Sequence, residues 1–342
     1  MRVTPECDSI NSFFINNFPG IQREPAIVHG GNNYLVAWSD ERGGYPRIFG
    51  CRVTSEGIVL EPNGTLIGPI TTNYQHSPSV SYNGTRYFVV WGCDYPPYGI
   101  YGRFVDTTGI PYGDTIRIAA SNGSVTITNI TFNGEEFFVA WIENSAPTLY
   151  RLKARRVSGN SGSPIGDTIF IVDSVHDRSL GLRWDGYNYL ITFSKQIGNI
   201  YQVFGCFYSS SGVPTSPIFN ISNSNYPSYY CDLIPGMDNR YLNVWTEIRT
   251  NPDVYGNIDI QYKIEEICSL DVIQTPLFTS IVTDVIELND VVSKGTSMNI
   301  YDPSGRLIGT SKDGRFDCSL LNCGVYFVRT EDGKNYKIVK IR

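Results

Sequence analysis

The stretch NNYLVAWSD at residues 32–40 returns four times along the chain: TRYFVVWGC at 85–93, EEFFVAWIE at 135–143, YNYLITFSK at 187–195 and NRYLNVWTE at 239–247. Aligned on their last aromatic residue, the copies stand at Trp38, Trp91, Trp141, Phe193 and Trp245, at spacings of 53, 50, 52 and 52 residues. Four residues before each comes another ring: Tyr34, Tyr87, Phe137, Tyr189 and Tyr241. Alternate residues of a strand share a face, so Tyr34, Val36 and Trp38 point one way and Leu35 and Ala37 the other. Both faces are apolar, and such a strand has to be covered on both sides.

The surroundings of the copies repeat as well. Gly30-Gly31, Asn83-Gly84, Asn133-Gly134 and Asp185-Gly186 precede four of the strands, and such dipeptides favour two-residue hairpins. Before the turns stand PAIVH, PSVSY, TNITF, SLGLRW and, more loosely, SYYCDLI. After the anchors come polar loops and third strands such as IFGCRV at 48–53 and IYGRFV at 100–105. Gly57, Gly109, Gly162 and Gly212 then mark turns into fourth strands. Four antiparallel strands at a period near 50 residues predict an all-β five-bladed β-propeller over 8–267. The fifth copy lacks its fourth strand. Residues 11–26, NSFFINNFPGIQREPA, resemble 216–228, so an N-terminal strand near Ile10–Asn16 is expected to close the last blade. Closure removes open edges. It would also bring Cys7 beside Cys268, and a disulfide is expected there.

The composition narrows the partners. The 342 residues carry a formal charge of −6, and Lys and Arg form no long basic run, which disfavours nucleic acid and anionic membranes. No apolar run is long enough to span a bilayer. The eight cysteines form no C-x-x-C and only three histidines exist, so a zinc site is not expected. An even cysteine count suits an oxidising compartment. The opening MRVTPECDSIN lacks the apolar stretch of a signal peptide, so an exported chain would be mature, truncated or mis-started.

Y-L-V-x-W, a polar loop, I-x-G-x-R-V and a late Gly together resemble the repeats of bacterial secreted β-propellers over about residues 10–267. Residues 268–342 have a different period and read as a small Ig-like β-sandwich. There Ile300-Tyr301-Asp302, Ser304-Gly305-Arg306, Gly324-Val325-Tyr326-Phe327 and the run from Lys337 through Lys340 to Arg342 resemble the C-terminal sorting domain of the type IX secretion system. The resemblance implies export to the outer cell surface, attachment there, and the secretion machinery as a partner. Cys318 and Cys323 depart from the pattern and are expected to staple the turn before Gly324.

Five-bladed propellers also include glycosidases, which need two carboxyls about 5–9.5 Å apart on inner strands. The five innermost segments hold one acid, Asp232, so no enzyme is expected. His29, His76 and His176 have no G-x-S-x-G companion, and no phosphate-binding glycine motif occurs. The expected function is binding or adhesion: a monomer presenting a loop face to a glycan or protein. A glycoside hydrolase or other polysaccharide-acting enzyme is the alternative. The candidate ligand residues are Asp40, Arg42, His76, Asp94, Tyr95, Tyr98, Glu143, Asp177, Tyr226 and Glu247, because Tyr with acidic groups suits sugars. Arg23, Glu24 and Tyr74 share their entry loops. No cofactor is expected, beyond a single structural calcium ion that the loop acids would allow.

Overall fold

The structure, a computed structural model, describes residues 2–3, 9–94, 96–146, 149–235, 240–248, 258–266, 278–282, 285–287, 297–301, 307–311, 315–317, 324–330 and 335–340. Every described element is a β-strand. Among the described residues no helix is long and apolar enough to cross a membrane. The chain divides into two compact units, Met1–Ile267 and Cys268–Arg342.

The first unit is a succession of antiparallel sheets. The first sheet runs Gln22–Gly30, Asn33–Asp40, Arg47–Thr54 and Thr65–Leu66, and the second Gln75–Tyr82, Tyr87–Cys93, Gly99–Val105 and Pro111–Ala120. The third runs Val125–Phe132, Glu136–Ala146, Leu149–Ser158 and Pro164–Asp173, and the fourth Val175–Trp184, Asn188–Ile197, Ile200–Ser209 and Phe219–Asn220. The fifth has three strands among the described residues: Ser228–Pro235, Arg240–Ile248 and Ile258–Glu266. Hairpins between first and second strands turn on Gly31, Gly84, Gly134 and Gly186, all at positive φ.

The repeated strand is the second of each sheet, and its two faces feed two different cores. Leu35 and Ala37 pack with Val80, Tyr87 and Val89 of the second sheet. Phe88 stacks on Phe137 at 5.1 Å, and Phe138 on Tyr189 at 4.3 Å. Leu190 joins Leu233 and Tyr241. Each of the second, third and fourth sheets thus buries one face against its predecessor and the other against its successor, as in the blades of a β-propeller. The aromatic column also tethers turns: Tyr87 donates its hydroxyl to the Asn33 carbonyl at 3.0 Å, and Tyr241 donates to the Asp185 carboxylate.

The N-terminal strand departs from expectation. Ser9–Asn11 pairs with Arg2–Val3, not with the fifth sheet. Beyond it, Phe13 and Ile15 pack on the cluster of Val36, Trp38 and Phe49 in the first sheet. Asn16 donates to Asp40 at 3.3 Å. The apolar alternation that resembled a fourth strand is satisfied as a cover for the first sheet. On that same face of the sheet Ile27 is 62% exposed, whereas Val80, Ile130 and Leu182 at the matching register are 8%, 5% and 0%. Tyr34 is likewise half-exposed. At the far end of the succession Leu242 is 38% exposed, where Leu35, Phe88, Phe138 and Leu190 are buried.

In the second unit, Phe278–Val282, Asn335–Lys340, Gly324–Thr330, Met298–Tyr301 and Leu307–Ser311 form one sheet in that order. Its Phe278–Val282 edge is parallel to its neighbour. Val285–Glu287 and Arg315–Asp317 form a separate ribbon. Tyr301, Gly324, Tyr326, Lys337 and Lys340 lie on these strands, and Gly305 and Arg306 lie outside the described residues. So do Cys7, Cys268, Cys318 and Cys323. Cys51, Cys93, Cys206 and Cys231 are buried.

Candidate active site

The inner strands begin earlier than their sequences suggest. Pro25 and Pro78 lack an N–H and read as strand starts. Pairing nevertheless resumes ahead of them, with Gln22 opposite Asp40 and Gln75 opposite Cys93. A bulge absorbs each proline. Register slips between Arg23 and Ala26, His76 and Ser79, and Tyr229 and Asp232. Within these bulges Glu24, Ser77 and Tyr230 take φ of 57°, 49° and 53°. Such bulges re-aim side chains, and a non-glycine residue in the left-handed region is held there by its surroundings.

Hydrogen bonds link the bulges from sheet to sheet. The Ser77 N–H donates to Glu24 Oε2 at 2.6 Å, and Ser77 Oγ donates to the Thr126 carbonyl at 2.9 Å. Thr126 Oγ1 in turn donates to the Asp177 carbonyl. The partners lie 53, 49 and 51 residues apart, about one repeat each. This belt runs across the inner strands of the first four sheets.

An open cleft of about 260 Å³ lies over the belt. Its walls include Glu24, Glu41, Tyr74, His76, Asp94 and Arg178. Asp94 accepts a hydrogen bond from Ser124 Oγ. His76 Nε2 lies 2.9 Å from Asp94 Oδ1. Burial alone would raise the Asp94 carboxyl. The His76 and Ser124 contacts outweigh it and hold Asp94 below the usual carboxylate range. Glu41 is paired with Arg23. Tyr74 leans on Tyr45 with ring centroids 5.8 Å apart. Three carboxyl groups therefore share one open cleft, where the sequence reading counted Asp232 as the one acid on the inner strands. Asp232 itself lies elsewhere, 66% exposed and 3.4 Å from Arg183.

Of the candidate ligand residues, the cleft brings together His76 and Asp94. Three others are structural. Trp38 Nε1 donates to Asp40 at 2.9 Å, Trp141 Nε1 to Glu143 at 3.0 Å, and Trp245 Nε1 to Glu247 at 3.4 Å. All three carboxylates are buried. Residues two apart on a strand share a face, so W-x-acid places an acceptor beside the indole. Arg42 clamps Asp40 at 2.6 Å and lies over the Phe18 and Phe49 rings. Lys153 pairs with Glu143 at 2.6 Å. The fourth copy has Phe193 with no N–H to satisfy, and Lys195 stands where the acid would be.

The remaining candidates are scattered. Asp177 contributes its carbonyl to the belt, and its carboxylate is 3.3 Å from His176. Tyr98 offers its carbonyl to Arg117, and Tyr226 is exposed away from the cleft's lining. Tyr95 lies outside the described residues. Glu41, Ser77 and Ser124 escaped the sequence reading. The recurring residue-before-proline at Glu24 and Ser77 was the available signal. Among the described residues, no group of three His, Cys, Asp or Glu side chains is arranged to hold a metal ion.

No protein-family model and no curated protein matches the chain. Solved structures similar to it include an alpha-L-arabinofuranosidase from Lactobacillus brevis, at 11% identity and TM-score 0.45, covering 71% of this chain and 90% of that one. An endo-arabinase from Bacteroides thetaiotaomicron matches at 12% identity and TM-score 0.45, covering 73% and 95%. The catalytic domain of a family-62 alpha-L-arabinofuranosidase from Coprinopsis cinerea matches at 9% and 0.44, covering 70% and 89%. These neighbours are glycoside hydrolases, which runs against the expected binding or adhesion protein and against the exclusion of enzymes. At such low scores the chemistry has to stand on this chain's own residues. They correct the same expectation: its premise, a single inner-strand acid, fails once Glu24 and Asp177 are placed on inner strands.

Proposed function

We propose that the first unit is a five-bladed propeller that hydrolyses a glycosidic bond in the cleft over the belt. The observation that carries this reading is the meeting of Glu24, Glu41 and Asp94 in one open, aromatic-edged cleft. Glycoside hydrolysis needs one carboxyl to protonate the leaving oxygen and a second to activate water or attack the anomeric carbon. Asp94, held ionised by His76 and Ser124, suits the second role. Glu41 is engaged by Arg23, and Glu24, whose Oε2 accepts the Ser77 N–H, has its other oxygen for proton donation. The C–O bond breaks, the leaving sugar takes the proton of Glu24, and water supplies the new hydroxyl while giving its proton to Asp94; a proton exchanged through solvent from Asp94 to Glu24 restores the starting state. His76 positions Asp94.

The test is reducing-end release from a panel of arabinan, galactan, xylan, mannan and cellulose oligosaccharides. Wild-type protein is expected to cleave at least one of them. Glu24→Gln and Asp94→Asn should each lower the rate by about 10²–10⁴-fold with folding intact. No turnover across the panel, or full activity in both variants, contradicts the assignment. The exposed Ile27 and Leu242 support ring closure between first and last sheets. The Tyr301 to Lys340 pattern supports a sorting role for the second unit, with export to the cell surface as its consequence.

A further inference from the structure

Tyr230 occupies the same bulge position in the fifth sheet as Glu24 in the first and Ser77 in the second. Its φ of 53° is costly for an aromatic residue, and no glycine, Asn or Asp relieves it. Its ring is not buried in return: Tyr230 is 55% exposed, whereas Tyr87, Tyr189 and Tyr241 of the repeated strand are buried. Strain of this kind persists where the structure fixes a group for use.

The ring does not stand alone. His176 packs against Tyr230 at 5.4 Å, against Tyr229 at 4.9 Å and against Tyr201 at 5.2 Å, between ring centroids. Tyr201 and Tyr229 meet at 5.3 Å. The bond from the Arg178 N–H to His176 Nδ1 at 3.3 Å anchors the imidazole, and the Asp177 carboxylate lies 3.3 Å from the same nitrogen. Arg178 lines the carboxylate cleft, and Asp177 closes the belt beneath it. The cluster therefore continues from the cleft onto the fourth and fifth sheets, with one aromatic face left open to solvent.

We infer that Tyr230, backed by Tyr229, Tyr201 and His176, is a stacking platform that holds a neutral sugar ring of the chain whose bond lies in the cleft. This rests on the hydrolase reading for the role of the chain, but its binding is measurable without turnover. Carbohydrate rings present an apolar C–H face, and an exposed, pre-positioned Tyr offers matching area at little entropic cost. No charged group of the cluster other than Asp177 and Arg178 faces the platform, and these two contact each other at 3.9 Å. A neutral ring is favoured over an acidic one on that ground.

The experiment is calorimetric titration of the full chain carrying Glu24→Gln with arabinan, galactan and xylan oligosaccharides, from disaccharides to hexasaccharides. A second protein carries Glu24→Gln with Tyr230→Asn, since Asn tolerates the left-handed backbone. The expected result is about tenfold weaker binding of the longer oligosaccharides. Disaccharide binding should be unchanged. Tyr229→Ala should act in the same direction. Equal affinities for the longer oligosaccharides, or no binding of any of them, overturn the platform. Weakened binding without any wild-type cleavage would keep the platform and overturn the hydrolase. Intact cleavage with unchanged length dependence would do the reverse.

Discussion

Asp40, Glu143 and Glu247 are the acids that most resemble a ligand set in the sequence, and each accepts the indole N–H two residues before it. The signal was legible as W-x-acid in three of the five copies, with Trp91-x-Cys93 and Phe193-x-Lys195 as the exceptions, but a loop acid and an indole acceptor look alike until burial is known. Burial alone would raise the Glu143 carboxyl, yet bonds from Lys153, Trp141 and Ser121 hold it below its usual value. A carboxyl lowered in the folded state stabilises fully above its unfolded value of 4.5, and the contribution fades as pH falls through the folded value. Glu143→Gln is therefore expected to cost about 1–3 kcal/mol at neutral pH in urea unfolding. It should also flatten the loss of stability below pH 4.5. A variant as stable as wild type at pH 7, or with the same acid profile, would contradict the role.

At the scale of the strand, the glycine of I-x-G-x-R-V has a packing reason. A Cβ on Gly50 would lie 2.7 Å from Ile67 Cδ1 and 2.9 Å from the Val36 carbonyl. One on Gly102 would lie 2.6 Å from Phe88 Cζ. The third sheet carries Ala154 at this position, fully buried. Gly50→Ala and Gly102→Ala are each expected to destabilise by about 1–3 kcal/mol, read as a shifted urea midpoint. Unchanged midpoints would show that the neighbouring sheets give way freely. The strand period, hairpin turns and paired faces could be read from the sequence because they follow local rules. The bulges could not. A proline ends a strand on local grounds, and pairing on its far side is settled by the neighbouring sheet, so Glu24 stayed hidden in a loop.

For the whole first unit, the succession of sheets was legible from the period of about 52 residues in the repeat, because stacking is the remaining way to cover both faces. The N-terminal segment was misassigned because Phe13 and Ile15 satisfy the same alternation as a fourth strand while packing on Trp38 and Phe49. The function followed the same course: an acid count over truncated strands favoured a binding surface, and strands of full length place carboxylates at a cleft. The most direct test is a crystal structure of the full chain with Glu24→Gln, soaked with the longest oligosaccharide that the wild type cleaves. A glycosidic oxygen beside residue 24, with Asp94 on the opposite side of the sugar, is the predicted result. A sugar bound on another face, or one in the cleft with its glycosidic oxygen out of reach of both residues, would contradict the account.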